Sequence, residues 1–231
     1  MLIGGIQKLT LLDYPGKVAA TIFTVGCNFR CPFCHNAPLV NKVEKNCFID
    51  EEEILSFLNK RVGIIDGVVI TGGEPTLMTD LPEFISKIKA LGYNVKLDTN
   101  GTNPEMLEYL INNKMIDYVA MDIKNCIEKY TETAGVDDSF DLGVVKRSAE
   151  ILMQNAVDFE FRTTVVSPYH TEEDFERIGQ WLAGEEKFYL QAFVDSGNLV
   201  GDGVHGVAKE KMVSFCNVLK QYVENAQIRG I

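Results

Sequence analysis

The sequence predicts an α/β protein built as a partial (βα)6 barrel of the TIM type, open on one side. Six short apolar, β-branched segments recur along the chain, a helical pattern follows each one, and polar or glycine-rich residues stand where each apolar segment ends. Strand–helix alternation of this kind builds a parallel sheet with right-handed crossovers. A closed eightfold barrel usually needs about 250 residues, whereas this chain has 231 and shows six units. A doubly wound sheet is the alternative, because the pattern alone does not separate the two.

The individual elements follow from the apolar periods and from local start signals. The predicted strands span residues 18–25, 67–71, 93–99, 117–123, 158–166 and 187–194. The predicted helices span residues 50–61, 81–91, 104–113, 142–155, 172–183 and 208–224. Asp50 with Glu53, and Thr171 with Asp174, have the spacing of a capping box, and Pro104 suits a first helical turn. No linker, repeat or low-complexity tract interrupts the pattern, so residues 1–231 are predicted to form a single domain.

The composition excludes some classes of function. The net charge of −11 argues against a general nucleic-acid surface. No apolar run approaches the length of a membrane-spanning helix, and the N-terminus lacks the pattern of a signal peptide. We therefore expect a cytoplasmic protein without a nucleic-acid or membrane partner. The first 50 residues carry five Lys/Arg and three Asp/Glu, so the cysteine-rich segment lies in the part of the chain that is not acidic.

Three of the six cysteines fall within eight positions, at Cys27, Cys31 and Cys34. Thiolates bind soft metals and iron–sulfur clusters, and three of them on one loop can hold one face of a four-iron cluster and leave one iron open. A structural zinc site is the alternative, but zinc needs a fourth ligand and His35 is poorly spaced to supply it. The isolated Cys47, Cys126 and Cys216 are expected to be ordinary packing residues.

Polar motifs follow the predicted strands in succession. Three of them are "TGGEP" at 71–75, "LDTNG" at 97–101 and "MDIK" at 121–124, and Arg162 lies within the fifth strand. The carboxyl ends of parallel strands gather at one edge of a sheet, where functional residues collect. Taken singly, "GGEP" and "DTNG" could each be a simple turn. Their convergence predicts a site at this edge. His170 and His205 have no pattern around them and are expected at the surface or in loops.

The cysteine spacing, with Phe33 before Cys34, followed by "GGEP" at the next strand end, resembles the radical S-adenosylmethionine superfamily. The motifs "CHN", "LDTNG", "MDIK" and "LLDYPGK" resemble the activating enzymes of glycyl-radical enzymes. Over its whole length the chain is similar to anaerobic ribonucleoside-triphosphate reductase activating proteins.

The resemblance implies a set of roles. Cys27, Cys31 and Cys34 would hold a [4Fe–4S] cluster, whose fourth iron binds the amino and carboxylate groups of S-adenosylmethionine. The residues that would contact this cofactor are Gly72, Gly73 and Glu74 at its amino group, and Thr99, Lys124, Arg162 and Gln191 elsewhere in the pocket. Gln191 is the nearest polar side chain to Phe193, which stands where the family has a ribose-binding histidine. No catalytic residue beyond these cluster and cofactor ligands is expected.

A monovalent cation is also implied, with Asp98 and Asp122 as its ligands. These aspartates end consecutive strands, and neighbouring carboxylates repel unless a cation lies between them. The alternative is that Lys124 neutralises the pair.

The implied reaction is reductive cleavage of S-adenosylmethionine, followed by removal of a glycine Cα hydrogen from a partner glycyl-radical enzyme, with anaerobic ribonucleotide reductase expected. Flavodoxin or ferredoxin would supply electrons, guided by Arg30, Lys42 and Lys45. The alternatives are a radical enzyme that acts on a small molecule or matures a peptide, and a non-catalytic metal-binding module.

Overall fold

The computed structural model describes residues 1–40, 48–154, 156–185, 187–195 and 197–231. Lys42, Lys45, Cys47 and the predicted helix end at Asn155 lie outside these ranges.

The strands are β1 (Ile3–Thr10), β2 (Ala19–Thr24), β3 (Gly67–Gly72), β4 (Asn94–Thr99), β5 (Tyr118–Asp122), β6 (Asp158–Ser167), β7 (Phe188–Ala192), β8 (His205–Gly206) and β9 (Gln227–Arg229). The α-helices are α1 (Ala37–Val40), α2 (Glu51–Asn59), α3 (Leu81–Ala90), α4 (Pro104–Asn112), α5 (Tyr130–Ala134), α6 (Gly143–Met153), α7 (Glu172–Trp181) and α8 (Lys209–Leu219).

Hydrogen-bonded neighbours in the sheet follow the order β1-β2-β3-β4-β5-β6-β7-β9, and β8 pairs with β6. The pairs β2–β3, β3–β4, β6–β7 and β7–β9 are parallel, whereas β1 is antiparallel to β2. A doubly wound sheet reverses its strand order at a switch point, and no reversal occurs along this path. The order confirms the prediction of an open, mainly parallel α/β sheet and removes the doubly wound alternative.

The chain divides into two compact units. The first unit consists of Met1–Cys27, Pro38–Ala120 and Val144–Phe159, and the second of Asn28–Ala37, Met121–Gly143 and Glu160–Ile231. The prediction of a single domain over residues 1–231 stays a prediction.

Each unit has an apolar core that its sequence pattern explains. In the first unit, β3 is a continuous apolar strand in which Val68 to Ile70 are fully buried, as expected for a parallel strand covered on both faces. Helix α3 buries Leu81, Phe84, Ile85 and Ile88, which recur at helical spacing on one face. In the second unit, Phe175 of α7 stacks on Phe215 of α8 at 5.0 Å between ring centres. The cores hold the strand ends in place.

The six predicted strands and six predicted helices are all present, and most of their ends lie within two residues of the predicted positions. At the start of α7, Asp174 accepts hydrogen bonds from the backbone and hydroxyl of Thr171, as predicted. Pro104 stands in the first turn of α4. The predicted cap at Asp50 is wrong, because its side chain makes no capping bond. In the described part of the chain, no helix is long and apolar enough to span a bilayer.

Candidate functional site

The loop that follows β3 packs directly on the backbone before the first cysteine. Gly73 and Glu74 donate backbone hydrogen bonds to the carbonyls of Thr24 (2.9 Å) and Gly26 (2.8 Å). A Cβ on Gly73 would lie 1.9 Å from the Gly26 oxygen, and Gly72 has a φ of +111°. Both glycines are therefore required by close backbone approach and backbone conformation.

Glu74 joins the loop after β3 to the loop after β4. Its Oε1 accepts bonds from the Thr76 amide (3.1 Å), the Thr76 hydroxyl (2.6 Å) and the Thr99 hydroxyl (2.7 Å). Its Oε2 accepts the amide of Asn100 at 2.6 Å. Burial raises the pKa of Glu74 above its usual range, although these donors favour the carboxylate and oppose the rise. The side chain of Glu74 is 1% exposed, so it holds the two loops together from within the fold.

Asn100 links this pair of loops to the first cysteine. Its Nδ2 donates a hydrogen bond to Sγ of Cys27 at 3.8 Å. Its Oδ1 accepts the amide (3.0 Å) and hydroxyl (2.7 Å) of Thr102, which fixes the amide orientation. Hydrogen bonds to ligand sulfurs tune the reduction potential of an iron–sulfur cluster. Asn100 belongs to the "DTNG" motif, but nothing in that motif indicated its contact with Cys27.

The cysteine loop, Asn28–Ala37, is seated on the end of α5. The amide of Arg30 donates to the Ala134 carbonyl at 2.9 Å, and Sγ of Cys31 lies 3.6 Å from the same oxygen. Gly135 ends the helix with a φ of +64°, and a Cβ there would lie 2.2 Å from the Arg30 oxygen. The amide of Cys34 bonds the carbonyl of Cys31 at 3.0 Å, so a turn separates the second and third cysteines. Gly135 is an isolated glycine, and no sequence motif indicated this contact with the cysteine loop.

Aromatic rings pack around the cysteine loop in the second unit. Phe33 is 4% exposed, and its ring centre lies 6.4 Å from that of Tyr169. Phe29 packs edge-on against Tyr130 and Phe140. An apolar surround of this kind lowers the local dielectric and excludes water from a cluster site.

Asp122, Lys124 and Arg162 form one charged group at the end of β5 and in β6. Arg162 Nε donates to Asp122 Oδ1 at 2.5 Å, and Lys124 Nζ donates to Oδ2 at 3.0 Å. Burial alone would raise the pKa of Asp122, but the charges of Arg162 and Lys124 hold it well below its usual range. Burial opposes the charge on Lys124, yet Asp122 and Cys31 together raise the pKa of Lys124 above its usual range. All three side chains are charged at neutral pH.

Asp98 has a different lysine beside it. Lys96, also in β4, donates a hydrogen bond from Nζ to Oδ1 of Asp98, and both side chains are buried or nearly so. The monovalent cation was expected from the family resemblance and from the repulsion between neighbouring carboxylates. Each of the two aspartates instead has a protein cation of its own, so this donor set does not fit that ion. The stated alternative, in which Lys124 neutralises both aspartates, holds for Asp122 only, because the counter-charge of Asp98 is Lys96.

The predicted ribose region contains Gln191 in β7, which is half-buried and paired in register with Thr164 and Arg229. The ring of Phe193 lies 5.1 Å from that of His35. A contact between Gln191 and a ribose stays a prediction.

His170 is buried, so the expectation that it lies at the surface is wrong. Its Nδ1 accepts the amide of Val166 at 3.1 Å, and its Nε2 lies 2.9 Å from the carbonyl of Lys124, to which it donates in that tautomer. Burial lowers the pKa of His170. The ring therefore ties the end of β6 to the backbone of Lys124. His205, in contrast, is exposed in β8, as expected.

The chemistry of the donor set can be compared with that of an iron–sulfur cluster. Among the residues described, no three histidine, cysteine or carboxylate side chains are gathered in an arrangement that would hold a metal ion. Thiolates are the donors that an iron–sulfur cluster takes, and the contacts of the single thiols suit that chemistry. Cys27 accepts a hydrogen bond from the side-chain amide of Asn100, Lys124 lies within electrostatic reach of Cys31, and a turn separates Cys31 from Cys34. The cluster assignment thus depends on the cysteine spacing, these contacts and the family.

Residues 21–182 match the family described as the Radical SAM superfamily. The chain belongs to this superfamily, and it is a radical S-adenosylmethionine enzyme. Members of the superfamily use a [4Fe–4S] cluster and S-adenosylmethionine.

One relative covers the whole chain. A Methanocaldococcus jannaschii protein named "Putative glycyl-radical enzyme activating enzyme MJ1227" is 34% identical over 236 residues, which span 100% of this chain and 96% of the relative. A second protein of the same organism, with the same kind of name, is 30% identical over 128 residues, or 53% of this chain and 45% of its own.

Solved structures agree with the fold. A radical SAM methyltransferase from Sphaerobacter thermophilus has a TM-score of 0.73 at 12% identity and covers 96% of this chain and 68% of its own. SuiB of Streptococcus suis, solved with S-adenosylmethionine bound, has a TM-score of 0.65 at 16% identity and covers 91% of this chain and 52% of its own. At these identities the likeness concerns the fold alone.

Proposed function

We propose that this chain reductively cleaves S-adenosylmethionine and removes a hydrogen atom from the Cα of a glycine in a partner glycyl-radical enzyme. The observation that carries the proposal is the 34% identity, over the full chain, to a relative named as a glycyl-radical enzyme activating enzyme. Anaerobic ribonucleotide reductase is the proposed partner, on the resemblance of the whole sequence to its activating proteins.

When bound, the cluster and S-adenosylmethionine supply the radical chemistry: one electron from the reduced cluster breaks a carbon–sulfur bond of the sulfonium and yields methionine and a 5′-deoxyadenosyl radical. Cys27, Cys31 and Cys34 hold the cluster in this proposal. The protein's task is to position the cofactor and exclude competing reactions.

The strand-end residues perform that task. Glu74, through Thr99 and Asn100, fixes the loop that carries an amide donor to Cys27. Gly72 and Gly73 present backbone groups to the amino end of the cofactor. Lys124 and Arg162, held in place by Asp122, would offer positive charge to its anionic groups, and Gln191 would contact its ribose.

A flavodoxin or ferredoxin is proposed as the electron donor. Both are acidic, and Arg30 in the cysteine loop is exposed, so its charge can steer their approach. The alternative function, a radical enzyme that acts on a small molecule or matures a peptide, uses the same cofactor site and differs in what receives the radical.

The direct test is anaerobic reconstitution of the full chain with iron and sulfide, reduction, and addition of S-adenosylmethionine with each candidate partner. Spin resonance should show a glycyl doublet with anaerobic ribonucleotide reductase. Alanine at Cys27, Cys31 or Cys34 should abolish both cofactor cleavage and the doublet.

Cys216→Ala is the matched control. Cys216 is buried in α8, where its Sγ lies 3.5 Å from the Ala226 carbonyl, and its loss should leave the doublet intact. Cofactor cleavage without a doublet on any glycyl-radical enzyme, together with consumption of a small molecule, would favour the alternative function.

A further inference from the structure

Lys96 occupies a place where a lysine is rarely found. Its side chain is 2% exposed, within strand β4, whose residues Val95 to Thr99 are all buried. Its Nζ donates to Asp98 and lies 6.0 Å from the centre of the Tyr118 ring, within the range of a cation–π interaction. Burial of an ammonium group is costly unless it is paired. The pairing with Asp98 therefore explains how this position tolerates a charge.

The pair lies one residue from the loop that binds the first cysteine. Asp98 precedes Thr99 and Asn100, and both of these bond the carboxylate of Glu74. Asn100 also donates to Cys27. The charge of Asp98 therefore lies two residues along the backbone from the side chain that bonds Cys27.

A carboxylate in such a place needs a positive charge nearby, and carboxylate oxygens suit a hard cation. Here the charge comes from the chain itself, on the same strand two residues away. We propose that Lys96 is a positioning residue that takes the place of a monovalent cation at Asp98. S-adenosylmethionine binding by this enzyme is then independent of Na⁺ and K⁺.

The test uses the reconstituted full chain, under anaerobic conditions, in KCl, NaCl, LiCl or choline chloride at equal ionic strength. One measurement is Tm without S-adenosylmethionine, and the other is Kd for S-adenosylmethionine by equilibrium dialysis. Wild type should give the same two values in all four salts. Lys96→Met removes the ammonium group and retains an unbranched apolar stem of similar size.

In choline chloride, Lys96→Met should have a lowered Tm and bind S-adenosylmethionine about tenfold more weakly, a typical size for coupling between neighbouring sites. Na⁺ or K⁺ should restore both values because it enters beside Asp98. The double variant Lys96→Met with Asp98→Asn removes both charges and should not respond selectively to any cation.

Lys89→Met is the matched control. It also removes a lysine from an ion pair, since Lys89 Nζ lies 2.9 and 2.8 Å from the Asp117 oxygens, but this pair is only partly buried. It should show no ion-selective response. If Lys96→Met fails to fold in every salt, Lys96→Gln replaces it with the same expectations.

A wild-type enzyme whose Tm or Kd depends selectively on Na⁺ or K⁺ overturns the proposal. A folded Lys96→Met variant that is indifferent to all four salts also overturns it. The inference rests on the proposed function only where it concerns S-adenosylmethionine, and the Tm series needs no radical transfer. Failure of the glycyl doublet is therefore distinguishable from failure of this proposal.

Discussion

At the scale of single residues, two glycines show how the site depends on the absence of side chains. Gly72 adopts a positive φ, and Gly73 presses against the carbonyl of Gly26, one residue before Cys27. A larger residue at either position would push the loop after β3 away from the segment that leads into the first cysteine. The two glycines of the "GGEP" motif are thus explained by backbone packing beside the segment that leads into Cys27.

Gly73→Ala should therefore damage the site without removing any ligand. The new Cβ would stand 1.9 Å from the Gly26 oxygen, where real contacts stay beyond 3.0 Å, so the backbone must shift by about 1 Å. Displacements of that size at an active site cost about 10²-fold in rate. We expect a comparable loss in the rate of S-adenosylmethionine cleavage, with reduced iron content after reconstitution.

Gly5→Ala is the control, because a Cβ there would meet its nearest neighbour, the Phe23 ring, at an ordinary 3.8 Å. It should retain iron and rate. Normal iron and rate in Gly73→Ala would show that the close approach of the two backbones is not needed.

At the scale of elements, the seam between β5 and β6 depends on a buried histidine. His170 accepts the amide of Val166 and lies against the carbonyl of Lys124, and Phe175 stacks on its ring at 5.7 Å. The seam thereby fixes the backbone from which Lys124 reaches Asp122. The local sequence does not predict this role, because the hydrogen-bond partners of His170, Val166 and Lys124, are four and 46 residues away along the chain.

The lowered pKa of His170 predicts a pH dependence of stability. Above pH 6.5, the usual histidine pKa, both states are neutral at this residue. Below pH 6.5, His170 is protonated in the unfolded chain but stays neutral in the folded chain. The free energy of unfolding therefore falls as the pH falls. His170→Asn should lower the free energy of unfolding at pH 7.5 by about 1–3 kcal/mol, through unsatisfied buried groups. It should also reduce the loss of stability between pH 7.5 and pH 6.0.

Urea unfolding of the reconstituted protein at the two pH values measures both effects. The exposed His205→Asn should behave like wild type, since surface substitutions have little effect on stability. Some slope will persist from His35, whose pKa partial burial also lowers. An unchanged slope in His170→Asn would show that His170 takes up its proton in the folded state.

The elements themselves were largely predictable, and the exceptions have physical causes. The six predicted strands were found from apolar, β-branched runs, and the helices from their amphipathic pattern. Strand β1 was missed because it is an edge strand with two glycines and an exposed stretch, "QKL". Its apolar and polar residues do not alternate in the way that predicts a strand. Strand β9 has three residues, and the short helix α5 has five, which is too few for a period to show.

At the scale of the whole molecule, the sequence predicted a parallel sheet with polar motifs at the ends of its strands, and it predicted the superfamily. Both predictions were possible because each motif is contiguous in the sequence. "CNFRCPFC", "GGEP" and "DTNG" can each be read within a few residues. The packing of the cysteine loop on Gly135 and the role of His170 depend on residues far apart in the sequence, which contiguous motifs do not display. Lys124 stands in "MDIK" and was named as a possible counter-charge. Lys96 stands in "VKLD", but its burial, and therefore its pairing with Asp98, could not be read from that motif.

Isotope transfer tests most directly whether the hydrogen atom removed in the reaction comes from a glycine Cα of the partner enzyme. Anaerobic ribonucleotide reductase would be produced with glycine deuterated at Cα and mixed anaerobically with the reduced, reconstituted chain and S-adenosylmethionine. Mass spectrometry of the 5′-deoxyadenosine product should then show one deuterium per molecule, in amounts that match the glycyl radical formed. Product that contains no deuterium while S-adenosylmethionine is consumed would contradict the account.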